Sequence, residues 1–320
     1  MSTAVWLRIW TDETPKGDFN SRIGYNIKIK QILCSEMSIA PSFVTPLRYP
    51  GGKGRLGAWL AEVIKHNNFK SLQYVEPYAG GAGAAVFLLL NNFIDQILIN
   101  DIDAGIYSFW WSVFNDTERL INLINETPIT IDSWQEQKAV MLGEDTADLA
   151  KLGFATFFMN RTNRSGIIRG GVIGGKNQNG QYKLDARFNK PGLISRIESL
   201  AKYRAQVQVT NLDAMTLIKK QAKSTKSLYY LDPPYYNKGA QLYRNHYKPS
   251  DHLAISLAVK NLDAPWIVTY DNCQEICELY GNDQKQELSF HYSTHLSRPV
   301  AKEVMYYGNL KIHSEPSMRR

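Results

Sequence analysis

The chain has 320 residues, 44% apolar, 12% aromatic and 21% charged, with a formal net charge of +7. That is enough for one large domain or two around a real core, and the modest basic excess favours a polyanionic partner. Three cysteines (Cys34, Cys273 and Cys277) exclude a disulfide framework and a zinc-ligand pattern, and no apolar run approaches the ~18 residues of a membrane span.

Residues 1 to about 40 are unlike the rest. Thr11-Asp-Glu-Thr-Pro-Lys-Gly-Asp reads as a loop and Ile27-Lys-Ile-Lys-Gln-Ile-Leu as a short alternating strand. The cysteine usage points to a reduced, cytoplasmic setting, and Met1 to Trp10 is too short and too poor in early positive charge for a secretory signal. Met37 is an alternative start, with residues 1–44 an extension of unknown role.

Next comes Leu47-Arg-Tyr-Pro-Gly-Gly-Lys-Gly-Arg-Leu, a glycine turn flanked by Lys53 and Arg55. It leads into a helix with apolar spacing at Leu56, Leu60 and Ile64. Exposed N–H groups and a lysine at a helix start suit an anion, although an ordinary turn reads the same in isolation. A strand around Leu72 to Val75 then runs into Glu76-Pro-Tyr-Ala-Gly-Gly-Ala-Gly83 and a helix. Gly80, Gly81 and Gly83 let backbone approach a ligand, but the spacing is not the dinucleotide G-x-G-x-x-G. A second strand, Gln96-Ile-Leu-Ile-Asn, ends in Asp101 and Asp103, where an acid can bind a ribose hydroxyl pair or merely cap a helix.

Past Asn115 the character changes. Residues 121–124, 134–142 and 149–159 read as helices, and a Gly-, Asn- and Arg-rich segment follows. Between Met159 and Arg196 there are eight basic residues (Arg161, Arg164, Arg169, Lys176, Lys183, Arg187, Lys190 and Arg196) against one acid, Asp185. Such a segment suits phosphate and base-edge contacts, through Arg161, Asn163, Arg164, Arg169 and Lys176, or is simply a solvated loop.

A strand over Ala205 to Val209 ends at Asn211-Leu-Asp213, with a helix from Ala214. Leu228-Tyr-Tyr-Leu-Asp-Pro-Pro-Tyr235 follows. Its short, continuous, aromatic-rich run reads as a buried strand, which Pro233 and Pro234 must end because neither can donate to a ladder. Asp232 is left at the carboxyl end of that strand, where open α/β sheets bind ligands. Asp232 and the Pro233 carbonyl are two acceptors on a stiff loop, with the Tyr235 ring beside them. That set suits a planar group carrying an NH₂, such as adenine. Tyr236 to Pro249 reads as a mobile basic loop, and a helix follows with its cap at Ser250 or Asp251. Trp266 to Asp271 is a strand, Cys273 to Leu279 a helix, and 290–292 with 303–307 a closing strand pair. His246, His291 and His295 lack metal-like spacing, and no metal is expected.

In this order, Arg48-Tyr-Pro-Gly-Gly-Lys53, Glu76 to Gly83, Asn100-Asp-Ile-Asp103, the basic insertion and Asp232-Pro-Pro-Tyr235 resemble the Dam-like, D12 class of adenine-specific N6 DNA methyltransferases. Phe157-Phe-Met-Asn-Arg and Val268-Thr-Tyr-Asp-Asn fit the same pattern, which covers about Pro46 to Gly308. The resemblance implies an α/β fold, a Rossmann-like sheet of the S-adenosylmethionine-dependent kind, with an inserted, mostly helical target-recognition domain. The catalytic domain would take 45–115 and 200–310, and target recognition 116–199. Tyr49, Lys53, Glu76, Pro77, Tyr78, Gly80, Gly81, Gly83, Asp101, Asp213 and Asp232 would bind S-adenosylmethionine, with Asp103 and Asp213 the weaker matches. Asp232, Pro233 and Tyr235 would be catalytic, Tyr235 stacking on the base.

The implied reaction is methylation of the adenine N6 amino group in duplex DNA, by base flipping and direct in-line transfer, in restriction–modification, phage or host DNA marking. Double-stranded DNA is the expected partner, and a monomer without obligate protein partner the expected state. Methylation of cytosine N4, of RNA adenine or of a protein glutamine, and a non-enzymatic DNA-binding role, are the alternatives; intact Lys53, Asp101 and Asp232 weigh against the last.

Overall fold

Two-residue alternation in the strands decides the layering. Tyr74, Ile97, Ile99, Leu228, Tyr230 and Ile267 face one apolar core, while Val75, Leu98, Tyr229, Leu231 and Val268 face another. Both faces of the sheet are therefore covered, which explains why its central strands read as continuous apolar runs. The structure is a computed structural model that describes residues 45–49, 52–143, 145–221, 225–237, 247–291 and 300–315. The expectations for residues 1–44, the Pro50–Gly51 part of the first turn, Lys238, Arg244, His246 and His295 lie outside the described residues.

The seven strands are β1 (Gln73–Glu76), β2 (Gln96–Asn100), β3 (Val207–Thr210), β4 (Ser227–Leu231), β5 (Trp266–Asp271), β6 (Gln284–His291) and β7 (Val300–Gly308), in the order β3-β2-β1-β4-β5-β7-β6. The first five run parallel, and β7 pairs antiparallel with both β5 and β6. From β1 the chain proceeds to β2 and β3 on one side, then returns to β4 and proceeds outward on the other. The carboxyl ends of β1 and β4 thus flank the point where strand order reverses, the place where open α/β sheets bind ligands. This is the Rossmann-like α/β architecture the sequence implies.

Ten α-helices occur among the described residues. They are α1 (Gly57–His66), α2 (Gly83–Leu90), α3 (Ala104–Asn115), α4 (Thr117–Glu126), α5 (Ile131–Gly143), α6 (Leu149–Thr162), α7 (Lys190–Ala201), α8 (Ala214–Gln221), α9 (Pro249–Lys260) and α10 (Gln274–Tyr280). Helices α4–α7 make the helical segment between β2 and β3. Phe109 of α3 stacks on Phe157 of α6, and both join Trp59, Phe87 and the sheet residues in one core.

Sequence patterning left two helices unread, and it read the first strand of the closing pair only at its end, over 290–292. Helix α3 is buried nearly all round, so it shows no amphipathic period. Helix α7 is announced only by Asn189, which caps it, and by a proline in its first turn. Strand β6 lies at the sheet edge and opens on polar Gln-Lys-Gln-Glu, as edge strands do. Helix α9 also corrects an expectation. It starts at Pro249 with Lys248 at the cap position, and Asp251 sits inside the first turn, accepting from the Lys248 N–H at 2.8 Å.

Candidate active site

Strand β4 delivers Asp232 to the switch point, and three other segments meet it there. The Lys53 ammonium, from the turn before α1, donates to both Asp232 oxygens at 2.9 Å. Thr269 of β5 donates to Oδ1 at 2.7 Å, and the Tyr230 hydroxyl lies 3.2 Å from Thr269 Oγ1. Glu303 of β7 stands 3.3 Å from Lys53 Nζ and accepts from the Tyr235 hydroxyl. The antiparallel register sets Glu303 opposite Asp271, at the end of β5. Two carboxylates therefore share one buried ammonium.

Exposure separates the two acids. Asp232 keeps 21% of its side chain exposed, against 5% for Lys53 and 2% for Glu303. Asp232 is thus the carboxylate a ligand can reach. Its Oδ1 accepts from Lys53 and Thr269, whereas Oδ2 accepts from Lys53 alone among the described residues. A carboxylate oxygen accepts two hydrogen bonds, so one acceptor direction is left, on Oδ2. Burial pushes the Asp232 carboxyl up and Glu303 adds to that, against the pull of Lys53. Burial disfavours the Lys53 charge, but Asp232 and Glu303 outweigh it and raise its pKa well above the ordinary lysine value. Lys53 therefore stays an ammonium.

The glycine loop after β1 builds the other half of the site. Gly80 has φ of +44°, and a Cβ there would come within 2.7 Å of the Tyr49 ring, so only glycine fits. The Gly80 N–H donates to Asp101 Oδ2 at 2.9 Å, and the Asp103 N–H to Oδ1 at 2.9 Å. Asp103 itself caps α3, accepting from the N–H groups of Gly105 and Ile106. The cap reading thus holds for Asp103, while Asp101 lies against the glycine loop. Burial, helped by Asp103, pushes the Asp101 carboxyl up to about 7. Asn100 locks the two strand ends together, donating to the Pro77 and Leu212 carbonyls at 2.9 Å each. The Tyr78 hydroxyl lies 2.9 Å from that of Tyr247, whose pKa is raised by burial and by Asp213, Asp251 and Asp101. Exposed Asp213 receives the Thr216 N–H at 3.1 Å.

Glu76, at the end of β1, joins the two halves. It accepts from the Tyr74 hydroxyl at 3.0 Å and the Ala85 N–H at 3.1 Å. Burial pushes its carboxyl up to about 8, and Asp232 adds to the rise. Folded Glu76 therefore holds a proton that the unfolded chain releases near the ordinary glutamate value of 4.5. Stability should fall as pH rises between those values, by roughly 1.4 kcal/mol per unit for this group. Glu76→Gln is expected to flatten that stretch of a pH–stability curve measured by denaturant titration. An unchanged slope would mean Glu76 is ionised in the fold.

Several of the residues expected here make contacts within the protein. Gly83 serves packing, since a Cβ would meet the Gly54 backbone at 2.9 Å. Lys53, read as a donor contact, pairs with Asp232 and Glu303. The Tyr235 ring is only 6% exposed, so stacking on a base requires its face to be uncovered. Asn163 is fully buried: it accepts from Trp134 Nε1 at 2.8 Å and donates to the Ile167 and Ile168 carbonyls, which corrects its reading as a DNA contact. Arg164, Arg169 and Lys176 are exposed, and Arg161 is half-buried. The sequence by itself points to no role for Glu303, Thr269 or Asp271. Asp271 accepts from the N–H groups of Tyr236 and Asn237, holding the chain after Tyr235. The one sequence signal for Glu303 was an acid set among the apolar residues of a strand.

The profile of the D12 class N6 adenine-specific DNA methyltransferase family matches residues 49–295. The chain is also similar to the Type II methyltransferase M.MjaIII of Methanocaldococcus jannaschii, 26% identical over 207 residues, spanning 59% of this chain and 68% of that one. Among solved structures it is similar to the rRNA methyltransferase aviRa of Streptomyces viridochromogenes, 11% identical with a TM-score of 0.34, covering 78% of this chain and 83% of that one. A second is a protein from Listeria monocytogenes described as a class I S-adenosylmethionine-dependent methyltransferase, 9% identical with a TM-score of 0.35, covering 93% and 71%. At those TM-scores neither likeness carries a functional inference.

Proposed function

The chain belongs to the D12 class of N6 adenine-specific DNA methyltransferases, and from that premise we propose that it transfers a methyl group from S-adenosylmethionine to the N6 amino group of adenine in duplex DNA. The observation that carries this reading is the one acceptor direction left on Asp232 Oδ2, on the most exposed member of an otherwise buried charge cluster.

The amino nitrogen of adenine is a poor nucleophile because its lone pair is delocalised into the ring. Asp232 Oδ2 can accept one amino N–H and the Pro233 carbonyl the other, which localises the lone pair on nitrogen. Lys53 and Thr269 fix the carboxylate, so little reorganisation remains when the base arrives, and preorganised groups of this kind are the usual source of rate. Glu303 acts through its neighbours: it anchors Tyr235 and shares Lys53, so that Asp232 is not neutralised by a full partner of its own. An amino group inside a duplex is out of reach, hence the base would be flipped into the site.

The residues present suit the donor. The tight Gly80 turn under the Tyr49 ring, Asp101 at the end of β2, and Tyr78 with Asp213 would offer a cradle, a hydroxyl acceptor, and an aromatic face with an acid for the adenine. When bound, S-adenosylmethionine supplies an electrophilic methyl on a sulfonium. Pro77, Gly81 and Glu76 shape the loop that holds it. In the same proposal, residues 116–199 recognise the target, with Arg161, Arg164, Arg169 and Lys176 toward DNA. A restriction–modification or other DNA-marking role fits the likeness to a Type II methyltransferase.

The test is transfer of a labelled methyl group to duplex DNA, followed by digestion to nucleosides. Label in N6-methyladenine supports the proposal. Label in N4-methylcytosine, in RNA or protein only, or nowhere, overturns it.

A further inference from the structure

Four arginines converge where the Arg48 segment meets the helical segment. Asn160, fully buried on α6, bolts the two together: its Oδ1 accepts from the Arg48 N–H at 2.8 Å, and its amide donates to the Arg48 carbonyl at 2.7 Å and the Gly166 carbonyl at 2.9 Å. Arg161 is the next residue along α6. Arg187 ends the short turn Leu184–Arg187, and Arg196 lies on α7.

The charges acting on Arg161 are all positive. Burial first, then Arg48, Arg196 and Arg187 in that order, together lower its pKa to about 9, with no carboxylate opposing them. Burial and Arg187 act on Arg48 in the same sense. Arg48 Nη1 and Arg161 Nε are, moreover, buried N–H groups with no acceptor among the described residues. Buried donors are nearly always satisfied, and like charges are not gathered without a counterion.

We propose that Arg48, Arg161, Arg187 and Arg196 form a binding site for one phosphate of the DNA backbone. This rests on the proposed action on DNA. A guanine edge would satisfy the orphan N–H groups but is neutral, and leaves the accumulated charge uncompensated. A phosphodiester supplies both acceptor oxygens and negative charge, in the forked geometry guanidinium favours. Because Arg48 precedes the donor loop and the other three lie in the helical segment, a phosphate here would clamp the two against each other as DNA docks.

Arg187 and Arg196 are exposed, so Arg187→Ala with Arg196→Ala should leave the fold intact. Binding of a non-specific duplex to the full chain would be measured across about 50 to 200 mM salt, where the slope of log K against log salt is about 0.9 per phosphate contact. The double variant is expected to bind more weakly and to lose about 0.9 from that slope, with S-adenosylmethionine affinity unchanged; Arg161→Gln should do the same. Inorganic phosphate at constant ionic strength should raise the Tm of the wild type more than that of the double variant. An unchanged slope in variants of a wild type that methylates DNA would overturn the phosphate site and leave the methyltransferase reading standing. Loss of donor affinity with an unchanged slope would assign the arginines to the donor carboxylate and overturn it equally. Equal Tm shifts with inorganic phosphate would remove the anion site whatever becomes of the DNA reading.

Discussion

Asp232→Ala is expected to abolish measurable methyl transfer, lowering the single-turnover rate at saturating donor by roughly 10²–10³-fold or more, the scale seen when one preorganised electrostatic partner is removed. The variant loses the acceptor that localises the amino lone pair. It should nevertheless fold, because Lys53 keeps Glu303 at 3.3 Å as a counterion. Asp232→Asn should be milder, since the amide oxygen still accepts one hydrogen bond, though without charge. DNA and donor binding measured beside the rate separate chemistry from assembly. Near-wild-type transfer by the alanine variant would make Asp232 a turn residue and sink the catalytic assignment.

Lys53→Met should cost about 3–5 kcal/mol of stability, the usual penalty for removing one partner of a buried ion pair. The methionine fills similar volume but leaves Asp232 and Glu303 beside each other with no cation. Without Lys53, burial and Glu303 push the Asp232 carboxyl up unopposed by a cation, so the folded state takes up a proton that the unfolded chain lacks. The loss should accordingly grow as pH rises and shrink in mild acid. Lys53→Met combined with Glu303→Gln should recover part of it. Denaturant titrations of the three variants at two pH values decide the matter. If Lys53→Met instead retained wild-type stability and lost only S-adenosylmethionine affinity, the lysine would belong to the donor site, as its motif alone suggested.

What the sequence determined by itself was the set of strand ends. Leu228 to Leu231 is a continuous apolar run stopped by two prolines, and that local chemistry alone puts Asp232 at a sheet edge. The same holds for Asp101 after β2 and the glycine loop after β1, because turn chemistry and short apolar runs act over a few residues. Helix α3, buried nearly all round, and the polar first half of edge strand β6 carried no such local period and were not legible. Only the tertiary structure decided who meets whom. Lys53 and Asp232 are 179 residues apart in the chain, and no spacing rule links them. Glu303 enters the site because β7 runs antiparallel beside β5, which brings its first residues to the carboxyl ends of the parallel strands. Asn163, polar and set in a basic segment, looks like a DNA contact until the packing of α5 on α6 has its amide oxygen accept from the Trp134 indole N–H. Side-chain partnership of this kind depends on sheet order and register, which the whole chain fixes together, and the charge balance around Asp232 depends on it in turn.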